Sequence, residues 1–259
     1  MCASKTDLEL YIHIPFCIKK CNYCDFLSFP SNEERREIYV QSLINEIEQT
    51  GKLLDKDAYA VRSIFIGGGT PSILETQQMR SIFDAIRSTF PVDSDAEITV
   101  EVNPGTVDKL KLMAYHNIGI NRLSIGLQST DDQELKMLGR IHTYQDFLDT
   151  YFLAREAGFQ NINVDLMSGI PFQTLGGWED TIKRVAELAP EHISAYSLII
   201  EEGTPFYEKY KFEAVLREAG KPTEHLPSEE TEYEIYKKTQ EILAEVGYEH
   251  YEVSNYAKQ

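Results

Sequence analysis

Cys17, Cys21 and Cys24 follow one another in the spacing C-x3-C-x2-C, inside the stretch YIHIPFCIKKCNYCDF that begins at Tyr11. Three thiolates gathered on so short a loop can ligate three irons of a cubic 4Fe-4S cluster and leave the fourth iron without a protein ligand. An open coordination position is where a metal centre does chemistry rather than hold a fold together. Two plainer readings stand beside this one: a structural zinc knuckle and unligated thiols. A closed zinc site needs a fourth ligand, and His13 is the nearby candidate, although it lies on the run before the loop. Paired C-x2-C halves, the usual zinc signature, are missing. A disulfide is disfavoured, because three clustered cysteines leave one over. Cys2 stands apart near the terminus and reads as incidental.

The second chemical signal is the run GGGTP from Gly67 to Pro71, placed directly after a short apolar segment. Glycines there let a backbone approach a ligand more closely than a Cβ allows. A glycine run alone says little, since such loops are common at turns.

Elements able to position these residues can be read along the chain. Residues 8–14 form the first expected strand, leading into the cysteine loop. Ser31 and Glu34 read as a capping box for a long helix with Val40, Leu43, Ile44 and Ile47 as its apolar stripe. Residues 63–66 form a strand, followed by a helix with Met79, Ile82, Phe83, Ile86 and Phe90 on one face. Strand 97–101, helix 107–116 and strand 121–128 come next. A short helix from Asp131 and a second over 143–157, closed by Gly158, lead to strand 161–167. A helix through Trp178, Ile182, Val185 and Leu188 precedes strand 192–199. After an excursion come a helix over 228–246, closed by Gly247, and an extended run over 248–253.

Alternating strands and helices imply parallel pairing, and six or more units imply an α/β fold, an open or partial (β/α)6 TIM-like barrel. A doubly wound sheet is the second architecture. No linker, repeat or break in composition divides the chain, so one domain over 1–259 is expected.

Several strands alternate apolar residues with polar or small ones. Thr99 and Glu101, then Ser124, Gly126 and Gln128, then Asn163 and Asp165 would share an inner face, where a packed barrel favours branched aliphatics. For any single residue a buried polar group satisfied by its neighbours fits as well, but several strands sharing the pattern favour a polar ligand cavity. His142 and His192 read as structural or surface histidines.

Composition bounds the rest. The 259 residues carry 42% hydrophobic and 26% charged residues, the balance of an ordinary globular protein. A formal net charge of −17 opposes wrapping a nucleic-acid backbone, which needs a basic surface, and leaves room for a local anion pocket. The N-terminus lacks the apolar core of a signal peptide, and no apolar run reaches membrane-spanning length. The cytoplasm is the expected compartment, with membrane contact only through a partner.

The cysteine spacing, Tyr23 before the third cysteine, and GGGTP together resemble the radical S-adenosylmethionine superfamily. The ordered set YIHIPFC, FIGGGTPS, ITVEVNPG, RLSIGLQS, LGRIH and NVDLMSGIP is similar to its oxygen-independent coproporphyrinogen III oxidase-like family, across essentially the whole chain. The oxidases carry a further cysteine two residues after the third. Phe26 stands there in this chain, which turns the resemblance toward the family's heme-chaperone branch.

The resemblance implies that Cys17, Cys21 and Cys24 ligate the cluster, with S-adenosylmethionine completing the fourth iron. It implies that Gly68, Gly69 and Thr70 approach the methionyl amine and that Glu101 accepts from a hydroxyl or ammonium group. Gln128 would meet ribose hydroxyls, Arg140 a carboxylate, and Asp165 the ribose or adenine. Tyr11 and Tyr23 would supply an aromatic wall near the cluster, and Ile199 a backbone and packing contact. All are expected at or just beyond the carboxyl ends of strands.

Two activities follow from the resemblance. One is a carrier that binds heme and delivers it to a hemoprotein acceptor. The other is a radical oxidative decarboxylation of a porphyrinogen, fed by a reducing electron donor. Family members continue beyond the position of Gln259 with a C-terminal domain, and the HNxxYW motif expected soon after SNYAK is absent from this sequence. The chain is therefore expected to be the core domain of a longer protein.

Overall fold

The computed structural model describes residues 5–55 and 58–258. In chain order the elements are β1 (Thr6–Ile14), β2 (Phe16–Cys17), β3 (Phe29–Pro30), α1 (Glu33–Leu53), β4 (Tyr59–Gly68), α2 (Thr76–Thr89), β5 (Val92–Val102) and α3 (Lys109–Ile118). They continue as β6 (Arg122–Gln128), α4 (Asp132–Leu138), α5 (Tyr144–Glu156), β7 (Asn161–Ser168), α6 (Leu175–Glu187) and β8 (His192–Ser197). The last are α7 (Pro205–Glu218), α8 (Glu229–Glu245), β9 (Tyr248–Glu252) and β10 (Asn255–Lys258). The fold is α/β with mostly parallel strands, the class of the partial (β/α)6 barrel. Cys2 lies outside the described residues.

The chain divides into two compact units. The first holds residues 1–18, 27–123 and 152–160, and the second holds 19–26, 124–151 and 161–259.

In the first unit β4 lies between β1 and β5, parallel to both. Register runs from Thr6 opposite Tyr59 to Ile14 opposite Gly68, so the ends of β1 and β4 arrive side by side. Strands covered on both faces need apolar residues. Ile14, Ile64, Ile66, Ile98 and Val100 are accordingly buried. The expected face of α2 is buried as well, through Met79, Ile82, Phe83 and Ile86, each removal from water contributing about 1.5–3 kcal/mol.

In the second unit the order is β6-β7-β8-β10-β9. β7 and β8 are parallel, whereas β10 pairs antiparallel with both β8 and β9. One core cluster gathers Leu138, Met167, Ile170, Leu198, Phe206, Tyr210 and Leu226. Trp178 of α6 is buried and donates Nε1–H to Thr239 Oγ1 of α8 at 2.8 Å, the partner a buried indole needs.

Three expectations need correction. The cap of α1 is Asn32, not Ser31: the helix starts at Glu33, and Asn32 Oδ1 accepts from the Arg35 amide at 3.0 Å. The excursion after β8 contains α7, announced by Thr204 as cap and Pro205 at the first turn, a pairing that fits a helix start. The final extended run is followed by a second strand, β10, whose antiparallel pairing breaks the parallel pattern.

Candidate functional site

In the first unit the end of β1 and the glycine loop are tied together through backbone. Gly69 N donates to Ile14 O at 2.8 Å and Thr70 N to Phe16 O at 2.7 Å. The fit is close enough to exclude side chains. A Cβ on Gly69 would lie 2.6 Å from Phe16 O, and one on Gly68 would lie 2.6 Å from the His13 ring. Gly68 also has φ +113°, a region L side chains avoid. Its amide donates to Glu101 Oε2 at 3.0 Å, which brings the carboxylate to the loop.

Thr70 carries this strap to the first cysteine. Asn103 Nδ2 donates to Thr70 Oγ1 at 2.8 Å, so the hydroxyl proton is left for Cys17 Sγ at 3.6 Å. Asn103 is a residue the sequence reading did not single out, although it sits inside ITVEVNPG. Tyr11 hydrogen-bonds His13 Nδ1 through its hydroxyl at 3.0 Å and stacks on Phe65, with ring centroids 6.2 Å apart. Burial, with the Glu101 charge adding to it, raises the Tyr11 pKa.

In the second unit the loop that carries the other two cysteines is tied to the end of α4 through Asn22. Asn22 donates its backbone amide to Leu138 O at 2.9 Å and its Nδ2 to Met137 O at 2.9 Å, while its own carbonyl accepts from Phe206 N at 2.9 Å. Nothing in the periodicity marks Asn22, because its function is to bind backbone and not to pack. Gly139 closes α4 in the left-handed conformation, and a Cβ there would press on the Asn22 side chain at 3.0 Å.

Arg140 follows immediately. It is a half-buried cation that donates Nη2 to Gly126 O at 2.6 Å and Nη1 to Cys21 Sγ at 3.8 Å. Its burial lowers its pKa, yet Tyr23 and Cys21 beside it more than offset this, and the net shift is upward. Tyr23 packs against the unit's core and hydrogen-bonds Arg140. Burial keeps Tyr23 neutral by raising its pKa strongly, against the opposing pull of Arg140.

Gln128 ends β6 with φ +77°, an uncommon conformation for a residue with a side chain. Tyr196 donates its hydroxyl to Gln128 Oε1 at 2.7 Å. Asp165 lies within β7 and not at its end, because the strand runs on through Ser168, which pairs with Ser197. Its two oxygens accept from Ser124 Oγ at 2.9 Å and Asn163 Nδ2 at 2.7 Å. Asn163 Oδ1 in turn meets His192 Nδ1 at 2.6 Å and Ser194 Oγ at 3.2 Å. These inner-face groups thus satisfy one another. His192 belongs to this network, and His142 is buried with its Nε2 3.2 Å from Leu127 O.

Tyr11 also lies within its strand, three residues before the end of β1, because β1 pairs with β4 as far as Ile14. Ile199 falls beyond β8, which ends at Ser197, and is 65% exposed. The remaining residues meet the expectation: Gly68, Glu101 and Gln128 close or nearly close their strands, while Gly69, Thr70 and Arg140 occupy loops.

The donor set fits an iron–sulfur centre. Soft thiolates suit iron and sulfide, and hydrogen-bond donors reach Cys17 Sγ and Cys21 Sγ, as ligated thiolates require. A zinc knuckle asks several donors to converge on one ion. A cubane asks for one thiolate on each of three irons.

Comparison with known proteins places these features. Residues 11–185 match the Radical SAM superfamily. The chain is 41% identical to the heme chaperone HemW of Escherichia coli and 39% identical to that of Bacillus subtilis, over 97% and 96% of its length. It spans 63% of each of those proteins. Among solved structures, the coproporphyrinogen III oxidase HemN of Escherichia coli, described as a radical SAM enzyme, superposes with a TM-score of 0.84 at 29% identity. That alignment covers 98% of this chain and 56% of the oxidase. With a thiol-bearing loop, a glycine strap and a superfamily match that takes in both, the chain belongs to the radical SAM superfamily.

Proposed function

We propose that this chain is the radical SAM core, residues 1–259, of a heme chaperone. It binds a 4Fe-4S cluster through Cys17, Cys21 and Cys24, binds S-adenosylmethionine, and takes up heme for delivery to a hemoprotein acceptor. The observation that carries the cofactor reading is the glycine loop strapped to the strand that delivers Cys17, with Thr70 donating to its sulfur. The chaperone reading is supported by the likeness to HemW proteins and by Phe26 at the place of the oxidases' further cysteine.

When bound, the cluster supplies one-electron reduction of a sulfonium. The residues of this chain bind and orient. Gly68 and Gly69 admit the methionyl amine to the backbone, and Glu101, fixed by the Gly68 amide, accepts from it. Gln128, oriented by Tyr196, and Asp165, oriented by Ser124 and Asn163, present oxygens to the nucleoside. Tyr11, Tyr23 and Ile199 wall the ligand, and Arg140 keeps a positive charge beside it. A cytoplasmic location and a reducing electron donor belong to the same reading. No helix among the described residues is long and apolar enough to cross a membrane.

The likeness to HemN supports a second reading, an oxygen-independent coproporphyrinogen III oxidase. Anaerobically reconstituted protein, given heme or coproporphyrinogen III under reducing conditions, separates the two. Stoichiometric heme uptake without a vinyl product supports the chaperone, and protoporphyrinogen formation overturns it.

A further inference from the structure

The three cysteines are not equivalent. Cys17 is buried and meets a neutral donor, the Thr70 hydroxyl at 3.6 Å. Cys21 meets a formal positive charge, Arg140 Nη1 at 3.8 Å. That charge is held in place from three sides. Gly126 O accepts from Nη2 at 2.6 Å, Tyr23 hydrogen-bonds the guanidinium, and a half-buried position limits the water that screens it. An arginine held mainly to bind a soluble ligand's carboxylate has no need of a thiolate partner. Here one nitrogen of the fork is committed to the backbone of β6 and another points at sulfur.

We propose that Arg140 sets the reduction potential of the cluster: its charge on the Cys21 sulfur raises the potential, and the Thr70 hydroxyl on Cys17 does so to a smaller degree. The inference rests on the cluster reading above. Its physical basis is that reduction adds one electron, hence one negative charge, to the cluster, with no bond made or broken in the protein. The electron comes from an external reductant. A nearby fixed cation stabilises the reduced form more than the oxidised one, and does so most where solvent is excluded. Arg140 is in this account a positioning and tuning residue as well as a neighbour of the nucleoside.

The test is a redox titration of anaerobically reconstituted protein without S-adenosylmethionine, followed by electron paramagnetic resonance, on wild type, Arg140→Gln, Arg140→Lys and Thr70→Val. At the wild-type midpoint, Arg140→Gln is expected to be at least tenfold more oxidised, a midpoint lower by about 59 mV for a one-electron couple. Arg140→Lys and Thr70→Val are expected to shift in the same direction by less. A carboxylate-binding role alone leaves every midpoint in place, because no nucleoside is present, and that result overturns the inference. Should Arg140→Gln assemble no cluster, Arg140→Met, which also removes the charge while keeping most of the side chain's length, decides: a lower midpoint supports the proposal and an unchanged one overturns it. Wild-type protein that takes up no iron and sulfide refutes the cluster reading itself, a failure recognisable before any variant is titrated.

Discussion

The two ends of the cysteine motif are anchored by different means. At Cys17 the anchor is backbone: two amides of the glycine loop donate to carbonyls of the chain that delivers the cysteine, and one neutral hydroxyl reaches the sulfur. At Cys21 side chains share the anchoring: Asn22 holds the end of α4 through its Nδ2 as well as its backbone amide, and the half-buried charge of Arg140 reaches the sulfur. The first arrangement tolerates changes of chemistry but not of volume, since any Cβ on Gly69 meets main-chain atoms that cannot rotate away. The second tolerates changes of volume better than changes of charge or hydrogen bonding. Ligand geometry and ligand electronics are thus set by separate parts of the chain.

The largest expected effect ignores that difference. Serine in place of Cys17, Cys21 or Cys24 removes one of three ligands, and iron and sulfide analysis of reconstituted protein should show the cluster lost in each case. Retention of full iron content in any of the three would exclude that residue as a ligand.

The next two perturbations each act in one unit. Gly69→Ala forces a Cβ to within 2.6 Å of Phe16 O, and overpacking of this kind costs about 1–3 kcal/mol. Its thermal midpoint should fall, and cluster content with it. Protonating His142 acts in the other unit. Burial, together with the nearby Arg140 charge, lowers its pKa to about 4 against an ordinary 6.5, although a bond to Leu127 O pulls upward. The unfolded chain then binds the proton more readily than the folded one between those two values. Stability is present in full above pH 6.5 and is lost as pH falls toward 4, by an amount on the order of 2–4 kcal/mol. Urea denaturation at pH 7 and pH 4.5 should show this loss in wild type and a flatter dependence in His142→Gln. Equal pH dependence in the two proteins assigns the loss to other groups.

Smaller effects sharpen the contrast. Asn22→Ala removes the side-chain bond to Met137 O and keeps the backbone bonds, so a loss of about 0.5–1.5 kcal/mol is expected from denaturation curves. Cluster half-life in air should shorten in the same variant, with Thr70→Val less affected. Tyr196→Phe removes the hydroxyl that orients Gln128, and calorimetry should show a severalfold loss in S-adenosylmethionine affinity with iron content unchanged. Unaltered affinity would remove Gln128 from the nucleoside site.

Much of this was legible from residues alone, for identifiable reasons. Strand and helix order follows from periodicity, which needs no knowledge of tertiary contacts. The apolar face of α2 is a case in point, as all five residues that define it, Met79, Ile82, Phe83, Ile86 and Phe90, are buried. The cysteine and glycine spacings are local and survive in sequence for the same reason. What escaped was made by long-range hydrogen bonds. Asn22 and Asn103 act on groups more than thirty positions away, and neither lies in a pattern that a period can expose. The polar inner face was read as a cavity or as satisfied groups, and in β6–β8 hydrogen bonds between Ser124, Asn163, Asp165 and His192 supply the satisfaction. The Ser31 cap failed by one residue because two cap-forming side chains stand side by side, and only geometry chooses between Ser31 and Asn32. α7 escaped because its buried residues, Phe206 and Tyr210, are too few to show a stripe.

The most direct measurement is electron paramagnetic resonance of the reduced, reconstituted protein before and after addition of S-adenosylmethionine. A cluster held by three cysteines has one iron open to the nucleoside, so the g-values should shift on addition, and serine at any of the three positions should abolish the signal. A reduced 4Fe-4S spectrum indifferent to S-adenosylmethionine, or a protein that loads zinc and no iron, would contradict the account.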